Sequence, residues 1–148
     1  MPHSTVIGVH LGLVRQDRVL LGLRHNTPFA DRTWHLPAGH LEQGESVAAG
    51  MAREAQEELG LDLDPAALRL VHVLHDLDAD DRTGRLQLFF RPEEGAVATE
   101  PDNREPDRCA ELRWWPLDAL PDPTVPYTRR ALAAISAGHP LTVHGFPA

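Results

Sequence analysis

The chain of 148 residues has no lysine, and all 14 of its basic residues are arginine. A phosphate site built on a lysine and a lysine Schiff base are both excluded. It has a single cysteine, Cys109, so no internal disulfide can form and a reducing compartment is expected. No stretch approaches the roughly 18 consecutive apolar residues of a membrane-crossing helix. The start of the chain lacks a charged segment followed by an apolar run, so a cytoplasmic location is expected. Cations are also outnumbered: 22 acids give a net charge of −8. Such a surface suits neither a nucleic-acid backbone nor unspecific polyanion binding. An anionic small molecule would need metal ions to bridge it to this protein.

The remaining composition, 42% hydrophobic and 24% charged, is that of an ordinary globular domain, and the length fits one domain over residues 1–148. Thr5 to Val14 and Arg18 to Arg24 read as strands, joined by the polar turn Arg15-Gln16-Asp17 into a hairpin. The polar loop His25 to Arg32 can border a pocket. Trp34 to Pro37 is extended, because the residue before proline is pushed out of the helical region. Ser46 to Leu59 is the clearest helix, with Ser46 as N-cap and Gly60 as the left-handed residue that ends it. Leu68 to His75, Arg85 to Arg91 and Glu111 to Trp115 read as further strands, and Tyr127 to Ala137 as a terminal helix. The acidic turn Asp76, Asp78, Asp80 and Asp81 lacks the glycine and glutamate of a calcium loop and reads as a solvated hairpin. Strands on both sides of a central helix, plus a second helix, imply an α/β fold with a mixed sheet flanked by helices.

On a helix at about 100° per residue, Ala48, Ala52, Ala55 and Leu59 form one stripe. Glu54, Glu57 and Glu58 fall on nearly the opposite side, as neighbours at i, i+3 and i+4. Gly50, one turn before Glu54, removes a side chain where a ligand or loop needs to approach. Adjacent like charges destabilise a helix, and the later two sit where the helix dipole also disfavours them. A bound cation removes that penalty. Magnesium and manganese take oxygen ligands and keep phosphate oxygens and waters in their shells. Arg53, the odd cation among these acids, is placed to grip Glu45 with both arms of its guanidinium.

Gly39, Glu45, Arg53, Glu54, Ala55, Glu57, Glu58, Gly60 and Leu61 together resemble the Nudix box, in which glycine, glutamate and the run R-E-U-x-E-E-x-G-U recur at these offsets (U is a bulky aliphatic). Ala55 is smaller than the usual aliphatic. Trp34 to Gly39 resembles the family's strand into the box, and Glu111 to Pro121 its late strand and turn, so the likeness covers a core of about residues 4–137. The resemblance implies an α/β/α sandwich and Mg²⁺- or Mn²⁺-dependent hydrolysis of a nucleoside diphosphate linked to another group. It makes Glu54 and Glu58 the main metal ligands, with Glu57 close by and the Gly39 carbonyl as a backbone ligand. Arg53 and Glu45 become the orienting pair. The general base varies in the family between a box glutamate, here Glu57 or Glu54, and one outside; Glu111 is the outside candidate and Glu105 its alternative.

The box says little about the rest of the substrate. The residues after it lack the proline of the family's ADP-ribose branch and the tyrosine of its diadenosine polyphosphate branch, and no coenzyme A motif precedes it. Glu105-Pro-Asp-Arg-Cys109 followed by Trp114-Trp115 resembles the branch of nucleoside triphosphate pyrophosphatases that clear oxidised nucleotides. His35, Trp114 and the loop from Pro121 to Tyr127 are the candidates for base contact. Tyr127 either stacks on a base or packs at the helix start. The alternatives are a non-nucleotide organic diphosphate or a nucleotide sugar as substrate, and a non-catalytic ligand-sensing module. Either a monomer or a homodimer is compatible with the chain.

Overall fold

Strand alternation sorts the apolar side chains of this chain into two cores. In the computed structural model, described over residues 1–77 and 83–147, the elements run β1 (Ile7–Leu11), β2 (Val14–Arg15), β3 (Arg18–Arg24), β4 (Trp34–His35), β5 (Ala38–His40), α1 (Val47–Leu59), β6 (Leu68–Leu77), β7 (Gly84–Pro92), β8 (Cys109–Pro116), α2 (Pro126–Ser136) and β9 (Leu141–His144). Five strands form a mixed sheet in the order β5-β1-β7-β6-β9, with β1–β7 and β6–β9 parallel. A second sheet is built on β3: β8 pairs with its whole length, and β2 and β4 with its two ends. On β7, Phe90 faces one core with Val9, Leu11 and α1, while Phe89 faces the other with Leu74 and α2. On β3, Leu20 joins the first core and Val19 and Leu21 the second. Helix α1 packs on β1 and β5, and α2 on β6 and β9. The expected α/β/α sandwich with a mixed sheet is the observed architecture.

Three local expectations need correction. The predicted hairpin of Thr5 to Val14 with Arg18 to Arg24 is confined to β2 and β3, where Gln16 and Asp17 both take positive φ (49° and 63°), as a two-residue hairpin turn requires. β1 cannot join it, because its two edges are already taken by β5 and β7. The buried stripe of α1 is Gly50, Met51, Ala55 and Leu59, with Ala48 and Ala52 at its margins. Met51, Ala55 and Leu59 are successive i+4 neighbours, and the long methionine reaches the core that Ala48 cannot. Beyond residue 137, β9 extends the sheet past the expected core. Asp78, Asp80 and Asp81 of the acidic turn lie outside the described residues. Among the described residues, no helix is long and apolar enough to cross a membrane.

Helix α1 is pinned at both ends. The Ser46 hydroxyl accepts a hydrogen bond from Ala49 N at 3.1 Å, and Gly60, at φ 67°, donates to the Gln56 carbonyl at 3.0 Å. The chain from β4 to β5 crosses between the two sheets at Leu36-Pro37, where Leu11 N donates to the Pro37 carbonyl at 2.9 Å. That crossing lays the Ala38–Gly39 backbone along α1. Met51 is fully buried, so Met51→Ala is expected to cost about 2–5 kcal/mol. Urea titration checks this: the midpoint falls while the slope stays constant.

Candidate active site

Arg53 ties the loop of residues 40–45 to α1. Its Nη2 and Nε donate to the two carboxylate oxygens of Glu45 at 2.7 and 3.0 Å, and Nη2 also donates to the His40 carbonyl at 3.1 Å. Nη1 donates to Glu54 Oε1 at 2.8 Å and lies 3.3 Å from Glu57. This bidentate grip pulls the Glu45 carboxyl down to about 2. Glu45 in turn accepts from Glu42 N at 2.8 Å. Gly50 makes room for the loop: a Cβ there would press on Leu41 and Glu45 at 2.8–2.9 Å. The approach foreseen at Gly50 is thus made by the loop.

Gly39 does the same for the carboxylates. A Cβ at Gly39 would collide with the carboxyl group of Glu54. Next to it, Ala38 N donates to Glu58 Oε2 at 3.0 Å. The free carbonyls at the end of α1 are taken by the following loop: Asp102 N donates to Leu59 O at 2.9 Å and Arg104 N to Glu58 O at 3.0 Å. This stitching carries Glu105 beside the helix, where its backbone N donates to Asn103 Oδ1 at 3.2 Å. His25 N donates to Arg108 O at 2.9 Å and so binds the loop after β3 to the same segment.

These elements enclose a cleft of about 380 Å³, lined by the acids Glu54, Glu57, Glu58 and Glu105 and also by Arg24, Thr27 and Arg108. Glu58 is deeply set. Burial, then the charges of Glu54 and Glu105, push its carboxyl up to about 9. Glu54, whose side chain is 13% exposed, is also raised, by burial against the opposing pull of Arg53. Glu57 is 50% exposed and stands at the rim. Among the described residues, no three carboxylate, imidazole or thiol groups close into a cage of their own. The donor set still fits a hard divalent cation: concentrated carboxylates, disfavoured as anions, in a cleft open on the side where phosphate oxygens would complete the shell.

Glu45, Arg53, Glu54, Glu57, Glu58 and Gly39 thus come together as the spacing implies. Two sequence candidates do not. Glu111 does not line the cleft; on β8 it lies on the face opposite Leu112, with its carboxylate 3.9 Å from Arg113. Glu105 lines the cleft instead. Trp114 shares the face of Leu112 but lies about 7 Å further along the strand. It sits under Arg15, 4.8 Å from ring centroid to guanidinium, beside a different groove. Arg24 and Arg108 were not foreseen as site residues. In a chain without lysine, the signals available were the flank of the pocket-bordering loop for Arg24 and the run Glu105-Pro-Asp-Arg-Cys109 for Arg108.

A second cavity of about 390 Å³ adjoins the cleft and shares Arg24, His35 and the Ala38–His40 strand with it. His35 and Tyr127 both reach this annex, with Phe29, Gln87 and His10 on its other walls. Tyr127 also packs into the second core, so both of its expected roles are compatible with its position. His10 lies 4.6 Å from the Phe89 ring in a stack and 2.6 Å from Gln87 Oε1. Burial lowers His10 to about 4, and burial with the Arg24 charge lowers His35 to about 3. Both imidazoles are therefore neutral near pH 7. Cys109 also lines the cleft, and burial raises its thiol, so it is no nucleophile at neutral pH.

Comparison with known proteins agrees with this geometry. The NUDIX domain model matches residues 3–135. The chain is 32% identical to 8-oxo-dGDP phosphatase NUDT18 of Mus musculus over 114 residues, 75% of this chain and 32% of that protein. It is 35% identical to Phosphatase NudJ of Escherichia coli (strain K12) over 82 residues, 55% of this chain and 50% of that protein. The matched segments thus span about a third and a half of those relatives. The crystal structure of a MutT NUDIX hydrolase from Burkholderia pseudomallei superposes with a TM-score of 0.77 at 33% identity, covering 88% of this chain and 98% of that one. With the box residues gathered on one cleft and the domain model spanning most of its length, the chain belongs to the Nudix family.

Proposed function

We propose that the chain is a pyrophosphohydrolase that cleaves a diphosphate bond in a nucleoside diphosphate-X substrate, a (d)NTP or a modified nucleotide. The observation that carries this reading is the gathering of the half-buried Glu54 and Glu58 with Glu57 and Glu105 on one cleft. Hydrolases of this family use divalent metal ions in general. Glu54, Glu58 and Glu57, with the Gly39 carbonyl, would hold Mg²⁺ or Mn²⁺, which when bound offsets phosphate charge and acidifies water. Arg53 and Glu45 fix the orientation of Glu54. Arg24 and Arg108, which line the same cleft, receive phosphate oxygens as charge-assisted donors. Glu105 accepts the proton of the attacking water; Glu57 at the rim is the box alternative.

The annex takes the group attached to the diphosphate. Its neutral His35, the Gln87 amide and the aromatic rings of Tyr127 and Phe29 suit a planar heterocycle, with stacking worth ~1–3 kcal/mol per base. The names of the NUDT18 relatives, phosphatases of 8-oxo-dGDP, favour an oxidised purine nucleotide within that class. The reading includes work in a cytoplasmic, reducing compartment, in keeping with the single cysteine.

A panel of (d)NTPs, oxidised nucleotides, ADP-ribose, nucleotide sugars and prenyl diphosphates, scored by kcat/KM with magnesium, tests the substrate class. Nucleoside di- or triphosphates are expected to lead, and turnover of prenyl diphosphates alone would refute the nucleotide reading. In the same assay Glu105→Gln is expected to lower kcat by about 10²–10⁴-fold, the usual yield of general base catalysis. A comparable loss in Glu57→Gln with Glu105→Gln unaffected would move the base to Glu57.

Stability gives a second test that needs no substrate. A carboxyl raised to about 9 contributes stability that is full below its unfolded value of 4.5 and is lost as pH rises through 9. The metal-free protein is therefore expected to melt at lower temperature near pH 9 than near pH 7, where His10 and His35 are neutral in the folded state and mostly neutral in the unfolded one. Glu58→Gln is expected to flatten that slope. Saturating magnesium is expected to raise the Tm of the wild type by roughly 5–10 °C near pH 8, and by less near pH 5. Thermal melts in the presence of a chelator or magnesium check both.

A further inference from the structure

A groove on another part of the molecule has no role in this chemistry. Its outer part, about 580 Å³, is walled by Arg15, Arg69, Arg91 and Trp114; its inner part, about 270 Å³, is an apolar slot between the five-stranded sheet and α2, lined by Val71, Phe89, Leu117, Leu132 and Ile135. The two parts adjoin, since both are lined by Gly12, Val14, Val71 and Arg91. Neither shares a wall residue with the cleft or its annex. The volumes lie near the ~300–1,000 Å³ range of small-molecule sites.

The charges at the mouth are arranged for an anion. Arg69 on β6 pairs directly with Arg91 on β7, and neither makes an ion pair or a side-chain hydrogen bond among the described residues. Like charges placed directly across an antiparallel ladder destabilise it. This occurs in a chain that carries eight more acids than bases. Arg15 is already held by Glu100 at 2.8 Å and covers Trp114, so it closes the outer wall. Glu93 and Glu94 line the outer part too, and repel an anion that Arg69 and Arg91 attract. The register of β6 shifts between Leu70 and His72, and the side chain of the intervening Val71 lines both parts of the groove. One end of the groove is therefore cationic and wet, and the other apolar and enclosed.

We propose that this groove is a second binding site, separate from the catalytic cleft, for a monomeric amphiphilic anion: a phosphate or carboxylate head on Arg69 and Arg91, with an aliphatic chain in the slot under α2. Guanidinium forks suit such oxyanion heads bidentately. The slot supplies apolar burial that a free inorganic ion cannot use.

Calorimetric titration with dodecyl phosphate below its micelle concentration tests this. The wild type is expected to bind it, and inorganic phosphate and dodecanol, each lacking one half of the ligand, are expected to bind at least about tenfold more weakly. The double substitution Arg69→Ala with Arg91→Ala, both on exposed side chains, is expected to weaken binding by about tenfold or more. Ser136→Trp, at the slot end of α2, is expected to block the chain while the Tm reports that the fold persists. A non-hydrolysable nucleoside diphosphate analogue in the catalytic cleft is expected not to compete. The proposal is overturned if dodecyl phosphate does not bind, if the double variant binds it as the wild type does, if the analogue displaces it, or if binding occurs only to vesicles that carry the lipid.

Discussion

Glu54 and Glu58 are held as close carboxylates in a cleft that water only partly reaches. Burial resists the charge of both, and neighbouring carboxylates add to it, Glu54 and Glu105 against Glu58 and Glu57 and Glu105 against Glu54. The rest of the site can be understood as what keeps them there. Arg53 takes one oxygen of Glu54 while anchoring to Glu45 through two bonds. The Ala38 amide takes an oxygen of Glu58. Gly39 and Gly50 are glycines because a Cβ at either would strike a carboxylate of this network. None of these contacts neutralises the pair fully. That residual demand for positive charge is what the proposed cation would meet.

The fold is arranged around that demand. The crossing from β4 to β5 moves the chain from one sheet to the other and in doing so lays a backbone amide against α1. The loop after β7 closes the end of α1 and delivers Glu105 beside Glu58. The loop after β3 is fastened to the same segment, and Arg24 at the end of β3 and Arg108 of that segment also line the cleft. Acidic and basic side chains thus line one cleft. Phosphate needs both: bridging cations towards the acids, and direct donors on the other side.

Much of this was legible in the chain because the box fixes its members by short offsets along one loop and one helix. Glu45, Arg53, Glu54, Glu57 and Glu58 are separated by turns of that helix or by the tight loop before it, so periodicity alone places them. Gly60 and Ser46 marked the helix ends for the same local reason. Residues brought in by long-range packing were harder to foresee. Glu105 and Glu111 are six positions apart in a loop and strand. Only the hydrogen bonds from Asp102 and Arg104 to the end of α1 decide that Glu105 is the one turned inward. Trp114 was displaced by strand rise, a geometric fact invisible until the register with β3 is known. Met51 was overlooked because a run of alanines suggests a small-residue stripe, whereas depth under the sheet called for a longer side chain. The separation of β1 from β3 into different sheets depended on β7, which lies far along the chain.

The proposed cation sits between Glu54, Glu58 and their neighbours. Calorimetric titration of Mn²⁺ into the metal-free wild type, Glu54→Gln and Glu58→Gln measures this directly. Binding to the wild type, weakened at least about tenfold by each substitution, is the predicted result. Equal Mn²⁺ affinity in all three proteins, or no binding to the wild type with or without a diphosphate compound, would contradict it.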